Sequence, residues 1–327
     1  MSRRGSGGLG GPETRRLGGS AVLGGSAIRQ PGVSATRALK IVGLAGLLVV
    51  SSRAPLGAQQ HRHEHADVPA EALRQIREVA KALEGLSTPE AAGAAGFHPV
   101  LGWIPTMGTH WVSGVRMLSG ERFTAAAPSQ LMFSPIGGKE TLVGAAYAYL
   151  AAEQDSTRPA SFAGNPPWHE HPDLAPPGMT LVMLHVWFVD SPDGPFAGHN
   201  PWLPFWALGL EPPGADRLHS PEAGRSIRMA ALALGEIVDS AGAFPRLARR
   251  PGVAEALAPH RQAIRSAVSE LDRAGTAKDW ARWSRLADRL GTHWSAIRKI
   301  YLDAVPRPDF RTRMEKFLDE MERGGHE

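Results

Sequence analysis

The chain contains no cysteine. That excludes disulfides, thiolate metal sites, iron–sulfur clusters, covalently attached c-type haem and a lipid-anchored export signal. The sequence also has no phosphate-cradling Gly-rich loop before a helix, no Gly-x-Ser-x-Gly and no His-Glu-x-x-His. Nothing therefore points to a nucleotide site, a serine nucleophile or a helical zinc protease motif. Long apolar runs are scarce. The strongest near the start, residues 38–50, is 13 residues long, whereas a membrane-crossing helix needs about 20.

That run does suit a secretory signal. Arg37 and Lys40 supply a basic start, 38–50 the apolar core, and Pro55-Leu56-Gly57-Ala58 a small-residue exit. We expect a leader over 1–58 with cleavage between Ala58 and Gln59, and an exported protein that is periplasmic or extracellular. Residues 1–32 are rich in Gly and Arg without periodicity, and the simplest expectation is a translation start near Val33. Residues 1–58 hold eight Lys or Arg and one acidic residue, so the rest of the chain carries about −3 although the whole is +4. The basic balance belongs to the leader. It gives no reason to expect nucleic-acid binding, and the mature form is expected to have no membrane span.

Three zones follow the leader. Residues 59–96 hold a His-rich tail (His61, His63, His65) and then helix, with Leu73, Ile76, Ala80 and Leu83 on one face. Ser87-Thr88-Pro89-Glu90 supplies a capped start for a second, Ala-rich helix. Residues 97–210 change to β-type segments at 110–118, 130–134, 141–150 and 180–190. A hairpin loop is expected at 135–139, and 180–190 is apolar on both faces, as in a central strand covered on both sides. Residues 221–327 read as a helical bundle, with stripes at Ile227/Ala231/Leu234/Val238, Val253/Leu257/His260/Ile264/Leu271, Trp280/Trp283/Ala287/Leu290/Trp294/Ile297/Tyr301 and Phe310/Met314/Phe317/Met321. The fold class expected is α+β: a β-rich core, with a small barrel among its architectures, between a short N-terminal helical segment and the bundle.

His110, His169, His171, His185 and His199 all fall in the β zone. In Trp168-His169-Glu170-His171 an extended backbone puts both imidazoles on one face and turns Glu170 away. His185 sits mid-strand among apolar residues, where an unsatisfied ring costs about 1–3 kcal/mol. A metal would satisfy it, and so would a backbone carbonyl. Imidazoles from neighbouring strands, joined by one from elsewhere, are how a mononuclear site with an open position is built. We expect His169, His171 and His185 as ligands, His110 as the next, and His199 as ligand, outer partner or proton shuttle. Zn, Cu, Fe and Mn all suit imidazole. Glu170 and Asp190 are the nearest carboxylates; Glu170 is the candidate acid/base for hydrolytic or oxidative chemistry on a small-molecule substrate the sequence does not define. The alternative is metal handling without turnover, and a structural domain with hydrogen-bonded histidines is a third reading. His260 and His293 read as bundle histidines with local hydrogen bonds, a second site between them being the sharper alternative.

The segments Pro105-Thr106-Met107-Gly108-Thr109-His110-Trp111-Val112, Trp168-His169-Glu170-His171, 183–188 (MLHVWF) and 196–201 (FAGHNP) resemble a family of exported bacterial proteins of uncharacterised function. The resemblance covers about the middle third of the chain and implies no activity. His-x-His followed by a later Gly-His is also distantly similar to the two halves of a cupin metal motif. The Glu that cupins place after His-x-His is absent here, because Pro172-Asp173-Leu174-Ala175 follows, and the Gly–His spacing of the second half differs.

Overall fold

The computed structural model describes residues 68–214, 217, 220–239 and 242–324. The expected leader, its cleavage point and the tail histidines His61, His63 and His65 lie outside them. The first element, α1 (Ala70–Ala82), buries Ala72, Ile76 and Val79 on one face. Thr88 caps α2 (Pro89–Ala94), its hydroxyl accepting from the Ala91 N–H at 3.2 Å, as the Thr-Pro start requires.

Six strands follow: β1 (His98–Ile104), β2 (Gly108–Val112), β3 (Gln130–Ile136), β4 (Lys139–Ala152), β5 (His169–His171) and β6 (Met179–Trp187). They form one antiparallel sheet in the order β1-β2-β3-β4-β6-β5. The sheet is open, with β1 and β5 at its edges, so the small barrel that the sequence allowed is not formed. The fold is α+β. The hairpin turns at Gly137 and Gly138, both at positive φ, with Ile136 opposite Lys139; this primed turn matches the twist of the flanking strands.

Two strand expectations change. The segment 110–118 is not one strand: β2 ends at Val112, Ser113-Gly114 breaks the extension, and a short helix α3 (Gly114–Met117) takes the rest. No strand was expected at 98–104, because Pro99 and Gly102 interrupt the pattern. The sheet tolerates them there because β1 is an edge strand.

Directly paired residues share a face. Trp111, Leu131, Ala145 and Val186 stand on one face, with Tyr147 and Leu184 beside them. This side packs on Ile76, Val79, Leu83 and Ala92 of the N-terminal helical segment. The opposite face carries His110, Met132, Gly144 and Trp187 in one row, Gln130, Ala146 and His185 in the next, then Ala148, Met183 and His169, and finally Leu150, Leu181 and His171. The pairing therefore aligns four of the five candidate histidines on a single surface.

Two further short helices, α4 (Leu203–Ala207) and α6 (Pro245–Ala248), flank the four long ones: α5 (Pro221–Val238), α7 (Val253–Thr276), α8 (Trp280–Ala304) and α9 (Pro308–Arg323). Leu234, Leu257, Ile264, Leu290, Trp294, Ile297, Tyr301 and Leu318 share one core with Ile104, Met107 and Phe205, so the helices pack on the β1–β2 turn and α4. On α9 the buried residues are Met314, Leu318 and Met321, while Phe310 stays exposed in the first turn. At the heart of the bundle the fully buried Glu236 carboxylate accepts from Arg261 Nη2 and Tyr301 OH, each at 2.8 Å, and from the Ala243 N–H at 3.1 Å. Among the described residues no helix is long and apolar enough to cross a membrane.

Candidate metal centre

β2 and β6 are separated by two intervening strands. At about 4.8 Å per strand, a flat sheet would hold their backbones roughly 14 Å apart. The rings of His110 and His185 are nevertheless only 5.6 Å apart between centroids. The sheet must therefore curl toward this face. A bulge between β3 and β4 provides for it: Met132 pairs Gly144 and Phe133 pairs Leu142, leaving Val143 as the extra residue. At Gly144 a Cβ would stand 2.5 Å from Met132 Cε and 2.6 Å from the Val186 carbonyl, so only glycine lets the strands close here.

β5 brings the other two rings. His169 lies 5.0 Å from His185 and 5.0 Å from His171, centroid to centroid. His169 and His171 are half-buried, whereas His110 and His185 are buried. His199 arrives on the loop after β6. That loop is fixed by Trp187, whose N–H donates to the Pro195 carbonyl at 2.8 Å and whose indole Nε1 donates to the Ala197 carbonyl at 2.6 Å. The Asn200 N–H donates to the Thr106 carbonyl at 2.7 Å, and His199 Nδ1 lies 2.9 Å from Thr106 Oγ1. The loop is thereby tied to the turn that precedes His110. Thr106 was not singled out by the sequence; only its place in the turn before His110 hinted at it.

Glu170 does not join the group. It pairs with Val182 on the opposite face and forms an ion pair with Arg158. The one-residue alternation that aligns His169 with His171 turns Glu170 to the other face.

The electrostatics follow from burial. Desolvation, and secondarily the charge of His171, lowers the His110 pKa to about 4. Its ring hydrogen bond to the Gly108 backbone opposes this in part. Gly108, at φ +71, is itself required, since a Cβ there would lie 2.5 Å from the Phe133 carbonyl. His185 is held well below the ordinary range by burial first, with the charges of His169, His110, His199 and His171 adding to the effect. Buried imidazoles are thus kept neutral, the form that ligates a metal. His110 Nε2 and both ring nitrogens of His185 are buried without a hydrogen-bond partner among the described residues.

An ion offers one way to satisfy such nitrogens. With metal–nitrogen bonds of about 2.0–2.1 Å, two imidazoles on a tetrahedral ion place their ring centroids roughly 5.2 Å apart. The measured 5.0, 5.0 and 5.6 Å bracket that value. The rings converge without forming a closed coordination sphere: among the described residues no group of three or more His, Asp or Glu has ligand spacing. Comparison with models of known protein families, with curated protein sequences and with solved structures returns no match for the chain.

Proposed function

We propose that the chain is an exported, histidine-ligated metal-binding protein whose single ion is held by His110, His169, His171 and His185, with His199 beside them. The observation that carries this reading is the set of unpartnered, buried nitrogens on His110 and His185 within a group of rings spaced 5.0–5.6 Å apart. A structural domain would be more stable with apolar residues at these positions, since each unsatisfied buried nitrogen costs about 1–3 kcal/mol. The leader pattern at 1–58 supports export. Zn, Cu, Fe and Mn remain the candidate ions. Of the two uses of the ion, holding or transfer without turnover is favoured over hydrolytic or oxidative catalysis, because Glu170 lies across the sheet in an ion pair with Arg158.

The test is thermal unfolding of the full chain with each ion in turn. One of the four should raise Tm in proportion to the logarithm of its concentration, as ligand linkage requires, and His110→Ala and His185→Ala should remove most of that shift. No shift with any ion in the unaltered chain would overturn the reading.

A further inference from the structure

Away from the sheet, α7 and α8 bring a second pair of imidazoles together. His260 and His293 are half-buried, with their Nδ1 atoms 3.2 Å apart and their ring centroids 5.5 Å apart at an interplanar angle of 62°. His293 lines a groove of about 220 Å³ together with Ser266, Glu270, Arg289 and small and apolar side chains. The pair lies on a seam otherwise built for packing. His260 continues the stripe of Val253, Leu257 and Ile264, where an aliphatic residue would serve the core better.

We propose that His260 and His293 form a second, helix-bridging site for an imidazole-preferring divalent transition ion, Cu²⁺ above Zn²⁺, bound through both Nδ1 atoms. Two nitrogens bound to one ion at about 2.0–2.1 Å are about 3.3 Å apart in tetrahedral geometry and about 2.9 Å apart at a right angle. The observed 3.2 Å falls between these limits. Without an ion the same 3.2 Å accommodates one N–H···N hydrogen bond between the rings. Both rings present the same nitrogen, so only one proton fits between them, and a metal ion can take its place with that proton released to solvent. Burial, with the charges of His260 and Arg289, keeps the His293 pKa below its ordinary value and the ring competent to ligate. Arg289 also repels a dication. A two-imidazole site carrying that penalty should favour the ion at the head of the divalent affinity series, which is copper.

Titration of the full chain with Cu²⁺, read by calorimetry and by the nitrogen hyperfine pattern in electron paramagnetic resonance, tests this. The unaltered chain should take up one more equivalent than His260→Ala or His293→Ala, with two nitrogens in the signal of that equivalent. Arg289→Ala should bind it several-fold more tightly. Because the comparison counts a difference, it is independent of the sheet histidines. Equal uptake by the unaltered chain and both alanine variants overturns the proposal whatever the sheet site does, as does an Arg289→Ala variant that binds this equivalent more weakly.

Discussion

Thr106 Oγ1 lies 2.9 Å from His199 Nδ1, joining the turn before His110 to the loop after β6. A hydroxyl in that position fixes the imidazole so that coordination would use Nε2, the usual service of an outer partner to a ligating histidine. Thr106→Val keeps the shape and removes the hydroxyl. If His199 belongs to the coordination sphere, metal affinity should fall 10–100-fold, the usual cost of losing such a partner. An unchanged affinity would place His199 outside the sphere.

The buried imidazoles set a pH dependence for the metal-free chain. His110 titrates at about 4 when folded and near 6.5 when unfolded. As pH falls, the unfolded chain takes up the proton first, so stability is fully present above about 6.5 and is lost down to about 4. His185 acts in the same direction. On the order of 3 kcal/mol from His110 should disappear across that window. Urea midpoints between pH 7.5 and 4 measure it, and His110→Phe should flatten the curve.

His185→Leu separates stability from binding. Removing two unsatisfied buried nitrogens should raise the metal-free Tm by about 2 °C or more, while most of the metal-induced shift is lost. A lower metal-free Tm would mean that the imidazole is satisfied by packing, as the structural reading holds.

In the bundle, Arg261→Met leaves the fully buried Glu236, among the described residues, with Tyr301 and the Ala243 N–H as donors. Breaking a buried pair from one side costs about 3–5 kcal/mol. Chemical unfolding should show a loss of that order, with metal binding to the sheet histidines unchanged.

The helices were legible in the sequence because apolar residues recur at helical spacing along α1, α5, α7 and α8, and because Thr88 and Pro89 mark the start of α2. His169-x-His171 and His185 were legible as one surface because side chains alternate along a strand. Sequence could not show that His110, three strand positions from His185, would reach it. That depends on the bulge at Val143 and the close approach at Gly144, which are properties of pairing. Strand β1 was hidden by Pro99 and Gly102, acceptable only at an edge. Glu236–Arg261–Tyr301 was hidden because its members are 25 and 40 residues apart along the chain and meet only after the helices pack.

The central claim is that the sheet histidines hold one ion, and the metal content of the full chain after extended dialysis tests it most directly. In a His260→Ala background, which lacks the helix-bridging pair, plasma mass spectrometry should find near one equivalent of a single transition metal, and almost none once His169→Ala/His171→Ala are added. Metal-free protein after growth with all four ions supplied, or equal metal in both proteins, would contradict the account.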